Sequence, residues 1–380
     1  MGIKFVHTSD WQIGRAFRNF DERVASVLEA ARLEVVDRIA AVAVSGGAQH
    51  VLVAGDIYDS PDLAARTLRQ VLERMKQRTD VSWWLLPGNH DPARPGGIWD
   101  RVAALGVPGN VVALTEPGVR EMAAGVYLLS APLVSRAVAR DLTAWMDDCV
   151  TPDGAIRIGI AHGSITRFGS GGDDGVIDPG RAQAARLDYL ALGDWHGTTQ
   201  VNARTWYSGT PEPDRFRDNA PGHVLAVSIA GFGAVPDVVL ERTARFEWVG
   251  ERHEIGDVAA LAGIEQGLLA RGRLQDTLVQ LTLTGRLPAS AQGALADWHD
   301  GLDARVRYLE LDTSGLALTM GEEDYASLGD DAALREVAAR LARLADDVAS
   351  PKQEAAKLAL AKLFALTRRV RQTASREAAE

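Results

Sequence analysis

Five times within the first 200 residues of this 380-residue chain, a short apolar run ends and a side chain able to ligate a metal follows within a few positions. Ile3 to His7 runs into Thr8-Ser9-Asp10-Trp11-Gln12, and Val51-Leu52-Val53-Ala54 runs into Gly55-Asp56-Ile57-Tyr58-Asp59. Trp83-Trp84-Leu85-Leu86-Pro87 leads to Gly88-Asn89-His90-Asp91, Ile156 to Ala161 leads to His162-Gly163, and Tyr189 to Leu192 leads to Gly193-Asp194-Trp195-His196-Gly197. Continuous apolar runs of four to eight residues bounded by turn residues predict buried parallel strands. The segment from about Asp21 to Ala43 carries Val24, Leu28, Leu33, Val36 and Ile39 at helical intervals, and a second helix is expected from Pro61 to about Gln77. Strand, helix, strand, helix, strand predicts a βαβ α/β fold, whose chemistry belongs at the carboxyl ends of the strands.

Asp10, Gln12, Asp56, Asn89, His90, His162, Asp194 and His196 are thus eight oxygen or nitrogen donors at the ends of five expected strands. If those strands lie in one sheet, the donors converge on one edge. Converging carboxylates repel one another and resist ionisation without a counter-charge, which a metal cation supplies. The mixed carboxylate, amide and imidazole set suits manganese or iron(II), and the single cysteine, Cys149, leaves no thiolate cluster for zinc and no internal disulfide. Each piece alone also fits a plain strand-to-loop turn, in which Asn89 and Asp91 would satisfy backbone groups. His7 and His50 read as core or edge histidines satisfied by neighbours, and Trp11 and Trp195 as packing that shapes the ligand loops, with stacking on an unpaired base as the alternative.

In order and spacing, Asp10-x-Gln12, Gly55-Asp56-x-x-Asp59, Gly88-Asn89-His90-Asp91, His162-Gly163 and Gly193-Asp194-x-His196 resemble the motifs of the binuclear calcineurin-like metallophosphoesterases. Within that superfamily, His7-Thr8-Ser9-Asp10 and Tyr207-Ser208-Gly209-Thr210-Pro211-Glu212, with a small following domain, resemble SbcD-type DNA-repair nucleases and manganese-dependent bacterial DNA endonucleases. The resemblance implies a four-layer α/β/β/α sandwich holding two divalent ions, with manganese expected. It implies that Asp56 bridges the ions, that Asp10, Gln12 and His196 complete one position, and that Asn89, His162 and Asp194 complete the other. His90 would face the phosphate and protonate the leaving oxygen or stabilise the transition state, while a metal-bound hydroxide attacks phosphorus in line. Asp91 would orient His90, and Asp59 would support its loop. Two positions depart from the pattern, which usually has histidine where Gln12 and Asp194 stand. Both swaps replace nitrogen by oxygen, which favours harder ions such as manganese or else marks a degraded site.

The superfamily pattern covers residues 1–240. Residues 241–325 read as a small α+β accessory domain and 326–380 as C-terminal helices, with Leu334, Val337, Leu341, Leu344 and Val348 three and four apart and Leu360, Leu363, Leu366 and Val370 resuming after Ser350-Pro351. Those helices are expected either to pack on the protein or to dock an ATPase or repair partner. A glycine-rich loop, Gly169 to Gly175, is expected at the rim of the site, and Arg15, Arg18, Arg136, Arg167 and Arg217 are candidates for a phosphate track. The net charge of −10 repels polyanions on average, so nucleic acid needs a local basic footprint or a metal's own charge. No apolar stretch is long enough to span a bilayer, and neither a secretory leader nor cysteine pairs are evident, so the expected location is the cytoplasm. The function expected is a manganese-dependent DNA phosphodiesterase acting on single-stranded or frayed ends in repair. Alternatives are hydrolysis of small phosphodiesters or phosphomonoesters, and a non-catalytic scaffold.

Overall fold

The five apolar runs form strands of two sheets rather than one. In the computed structural model of the chain, the described residues are 2–136, 140–165, 176–217, 219–319, 324, 328–329, 331–347 and 349–377. The first sheet takes β1 (Ile3–Thr8), β2 (His50–Ala54), β3 (Ser82–Leu86), β4 (Val111–Ala113), β11 (His223–Ile229) and β12 (Asp237–Arg242). The second takes β5 (Gly118–Ala123), β6 (Val126–Ala131), β7 (Ile156–His162), β8 (Tyr189–Gly193), β9 (Thr199–Asn202) and β10 (Thr205–Tyr207). Their orders are β12-β11-β1-β2-β3-β4 and β5-β6-β7-β8-β10-β9, and in each sheet the ligand-bearing strands are parallel neighbours. The donors therefore come from the carboxyl ends of β1, β2 and β3 on one side and of β7 and β8 on the other. Convergence within one sheet is replaced by convergence across the joint between two.

Alternation within the strands explains why they are apolar throughout. Val51, Val53, Trp83 and Leu85 face one way, into a core with Val35, Ile39, Leu68, Val71 and Trp99 from helices α1 (Glu22–Ser45), α2 (Ala65–Lys76) and α3 (Ile98–Ala104). Leu52, Ala54, Trp84 and Leu86 face the other way and meet Leu128, Ile158, Ile160, Tyr189 and Ala191 of the second sheet. The outer face of that sheet, with Leu129, Ala161, Leu190 and Leu192, is covered by Met146, Ala182 and Leu187. The result is the expected α/β/β/α order, although among the described residues the last layer is thin: a 3-10 turn at Ala144–Met146 and the single turn α4 (Arg181–Ala184). The helix expected from Pro61 begins at Ala65, after a turn whose carbonyls at Pro61 and Leu63 accept from Arg101.

The chain divides into two compact units, one of Met1–Asp214 with Asp218–Arg245 and one of Arg215–Arg217 with Phe246–Glu380. In the second, β13 (Glu247–Ile255), β14 (Thr277–Pro288) and β15 (Tyr308–Thr319) form an all-parallel sheet, joined by α5 (Ala259–Arg271) and α6 (Gln292–Asp303). Its core holds Val249, Leu261, Leu268, Leu281, Leu283 and Leu302, and Phe216 packs against Trp248 with ring centroids 4.9 Å apart and planes tilted by 59°. The last two helices, Ala332–Asp346 and Gln353–Glu377, pack with Ala289 and Leu318 of the same unit. On the first of them the fully buried face is Ala338, Ala342 and Ala345, while Val337 of the expected stripe is exposed, because small side chains let the backbones approach most closely. On the last helix Leu360 is buried but Leu366 and Val370 lie in solvent. Among the described residues no helix is long and apolar enough to cross a membrane.

Candidate metal centre

Asp10 follows β1, Asp56 follows β2, and His162 ends β7; all three are buried, and they offer ligand atoms within 4.8 Å of one another. The loops that present them are stitched together by their backbones. Asp10 N donates to Gly55 O at 3.0 Å and Gln12 N to Asp56 O at 2.8 Å, which fixes the first ligand loop against the second. Across the joint His162 Nδ1 meets Ala54 O at 2.8 Å, and within the second sheet Gly163 N donates to Gly193 O at 3.1 Å. Two glycines permit this approach: a Cβ on Gly193 would lie 1.9 Å from Ala54 O, and one on Gly55, whose φ is +93°, would lie 2.1 Å from His162 Nδ1.

Strain marks the same residues. Asp10, Gln12, Asp56 and Asp194 have φ of 54°, 44°, 55° and 102°, a region that side chains other than glycine seldom occupy. Holding four polar residues there costs on the order of 1–3 kcal/mol each, and such conformations persist where function requires them.

Burial without compensation is the chemical signature of the centre. Because the carbonyl of Ala54 takes the Nδ1 proton of His162, its Nε2 is directed at carboxylates, 3.5 Å from Asp56 Oδ1 and 3.8 Å from Asp194 Oδ1. Among the described residues Nε2 is buried without a hydrogen-bond partner, as is Asn89 Oδ1. Burial opposes charge on the His162 ring, but Asp56, Asp10 and Asp194 outweigh it and hold its pKa up at about 9. Burial likewise pushes the Asp10 carboxyl up, against the pull of His196 and His162. Negative charge gathered around ligand atoms that lack hydrogen-bond partners is what a divalent cation compensates, and an ion there would take the place of the His162 proton. The residues present therefore fit a metal.

The other expected donors join this network. Asn89 Nδ2 donates to Asp194 Oδ1 at 3.2 Å, and Asp194 N approaches Asp10 Oδ2 at 3.2 Å. His196 Nε2 stands 4.0 Å from Asp10 Oδ1 and 3.3 Å from Gln12 Nε2. His90 is 30% exposed; its backbone N donates to Asp56 Oδ1 at 2.9 Å, and its Nδ1 lies 2.8 Å from Asp59 O. The orienting group for this ring is thus the carbonyl of Asp59. Asp91, expected in that role, is buried and accepts instead from Gly88 N at 2.7 Å and Tyr58 N at 3.1 Å, holding the two loops in register. Of the arginines considered for a phosphate track, Arg15 lies at the site, Arg18 and Arg136 are exposed, Arg217 belongs to the second unit, and Arg167 lies outside the described residues, as does the loop from Gly169 to Gly175.

Sequence reasoning missed two participants, Ser164 and Asp214, and gave a third, Arg15, a different role. Ser164 Oγ donates to Asp194 Oδ2 at 2.7 Å. Asp214, 2% exposed in its side chain, faces His196 Nδ1 at 3.5 Å and Arg15 Nη1 at 3.2 Å. Arg15 Nη1 in turn donates to Gln12 Oε1 at 3.0 Å. Only the position of Asp214 just beyond the Tyr207 to Glu212 segment could have hinted at its role. His7 and Trp11 prove to be structural: both are buried, with His7 between Tyr189 Oη at 2.9 Å and Leu192 O at 3.1 Å and Trp11 Nε1 donating to Thr8 Oγ1 at 2.9 Å.

A family model described as calcineurin-like phosphoesterase matches residues 3–198. No curated protein matches the chain. Among solved structures, the crystal structure of TT1561 of Thermus thermophilus aligns with a TM-score of 0.42 at 12% identity, covering 64% of this chain and 100% of that one.

Proposed function

The chain belongs to the calcineurin-like phosphoesterase family, and on that premise we propose that it is a manganese-dependent DNA phosphodiesterase acting in repair. The observation that carries the hydrolase reading is the buried Asp10, Asp56 and His162 cluster with two orphaned ligand atoms beside it. Asp56, within reach of Asp10 and His162, would bridge two sets of donors. Asp10, Gln12 and His196 would hold one ion, and Asn89, His162 and Asp194 the other. When bound, the ions supply charge neutralisation for the phosphate and water of lowered pKa.

The chain's own groups then do the positioning and the proton transfer. His90 has its Nδ1 committed to the carbonyl of Asp59, so its proton sits there and Nε2 looks into the site, 4.0 Å from Asp56 Oδ2. Only the doubly protonated ring offers an Nε2 proton, and in that state it can donate to the leaving oxygen. Burial of Asp10 and Asp56 keeps bulk water from screening the charges on which binding depends.

DNA as the substrate class is favoured by the segment that distinguishes the nuclease pattern. Tyr207 to Glu212 is built into the ligand loops: Ser208 Oγ is 2.8 Å from Ser9 Oγ, Thr210 Oγ1 donates to Asp10 O at 2.9 Å, and Thr210 N donates to His196 O at 3.0 Å. Incubation of labelled single- and double-stranded DNA with manganese, magnesium or zinc tests the reading. Strand cleavage with manganese that disappears in Asp56→Ala and Asn89→Ala supports it. Turnover of small chromogenic phosphate esters with intact DNA at every length would replace the substrate by a small ester.

A further inference from the structure

Four side chains at one end of the metal centre close into a ring. Asp214 Oδ1 lies 3.5 Å from His196 Nδ1, and Asp214 Oδ2 lies 3.2 Å from Arg15 Nη1. Arg15 Nη1 donates to Gln12 Oε1 at 3.0 Å, and Gln12 Nε2 faces His196 Nε2 at 3.3 Å. The direction of each bond is forced. A guanidinium has no acceptor, so the Gln12 atom that meets it is the carbonyl oxygen, and the amide nitrogen is left to donate to His196. The His196 ring proton then belongs on Nδ1, towards the buried carboxylate of Asp214. In this ring the Gln12 oxygen and the His196 Nε2 lone pair, the two atoms that would bind an ion, are already used.

The opposite end has no such closure. Among the described residues His162 Nε2 and Asn89 Oδ1 are buried without a hydrogen-bond partner, and His162 Nε2 stands 3.5 Å from Asp56 Oδ1. One half of the centre therefore needs a cation to be satisfied, and the other half is satisfied before a cation arrives.

We propose that Arg15 is a positioning residue that makes the two metal positions unequal: the ion at Asp56, Asn89, His162 and Asp194 is held tightly, and the ion at Asp10, Gln12 and His196 is held weakly. The inference rests on the phosphoesterase reading. To enter the second position an ion must take the Gln12 oxygen from Arg15 and the His196 lone pair from Gln12. It must do so beside a guanidinium that Asp214 and Asp59 keep in place, with Asp59 Oδ1 at 3.8 Å. Both the lost hydrogen bonds and the neighbouring positive charge disfavour it.

Calorimetric titration of manganese(II) chloride into the chelator-stripped full chain reads both positions without relying on turnover. Two steps are expected, with the weaker at least about tenfold below the tighter, the range over which groups behind metal ligands act. Arg15→Met is expected to tighten the weaker step by about tenfold and leave the tighter one unchanged, whereas Asn89→Ala weakens the tighter one. If thermal melting shows that Arg15→Met does not fold, Arg15→Lys serves instead; its shorter reach keeps the charge near Asp214, releases Gln12, and tightens the weaker step by a smaller factor. Two equivalent ions in a single step, or substitutions at Arg15 that leave the weaker step where it was, overturn the inequality while the phosphoesterase reading stands. A stripped chain that binds no manganese overturns both.

Discussion

Two histidines show how the same side chain takes opposite roles from its surroundings. His90 is partly exposed at the mouth of the centre, with its backbone and Nδ1 tied to Asp56 and Asp59. His90→Gln keeps size and polarity but not proton transfer, so kcat is expected to fall by about 10²- to 10⁴-fold. Manganese content by metal analysis should not change, since His90 ligates nothing in the proposed arrangement; lost metal would make it a ligand instead. His7 is fully buried, and burial, only partly offset by the Leu192 carbonyl, lowers its pKa from 6.5 to about 3. Between those two values the unfolded chain takes up a proton that the folded chain refuses. Stability is therefore complete above pH 6.5 and drains away as the pH falls towards 3. At about 1.4 kcal/mol per unit, the loss reaches on the order of 2 kcal/mol by about pH 5. Urea midpoints of His7→Gln, which can still hydrogen-bond Tyr189 and Leu192, are expected to fall less steeply over that range than those of the natural chain. Equal slopes would show that His7 is not the group responsible.

At the scale of elements, the decisive contact is the one between the ends of β2 and β8. The carbonyl of Ala54 receives His162 Nδ1 from β7 and lies where a Cβ of Gly193 would have to go. Gly193→Ala pushes the sheets apart at their joint, with an expected loss of about 1–3 kcal/mol in urea unfolding, typical of overpacking. Manganese affinity should fall with it, because donors from both sheets must meet; unchanged affinity would mean that the joint tolerates the shift. The longest apolar runs were readable as strands from sequence because a strand buried on both faces needs no alternation. The edge strands β5 and β9 were not, nor was the three-residue β10 between β8 and β9. Gly118–Ala123 is half exposed and β9 alternates exposed with half-buried residues, so little apolar signal remains. The division into two sheets was implied only by the resemblance and left no mark in the runs themselves, since each run pairs with parallel neighbours in either arrangement.

Across the whole chain, every residue of the proposed centre belongs to the unit formed by Met1–Asp214 and Asp218–Arg245. A fragment ending at Arg245 is expected to retain manganese binding by calorimetry, with some loss of stability because Phe216 loses its packing against Trp248. A fragment that folds yet binds no manganese would place part of the centre in the other unit. From the linear chain alone followed the α/β class, the buried strands, the ligand-type residues Asp10, Asp56, Asn89, His162, Asp194 and His196 beyond their ends, and, through resemblance, the family, because strand periodicity and the order of ligand-type residues are local properties. What only the tertiary structure decided was which atoms of those residues remain available. Asp214 lies far from Gln12 along the chain, yet through Arg15 and His196 it commits the Gln12 amide and the His196 ring, while His162 Nε2 and Asn89 Oδ1 have no hydrogen-bond partner among the described residues. Residue type says that a side chain can bind an ion; whether its lone pair is already engaged depends on partners brought near by folding, and sequence spacing carries no record of them.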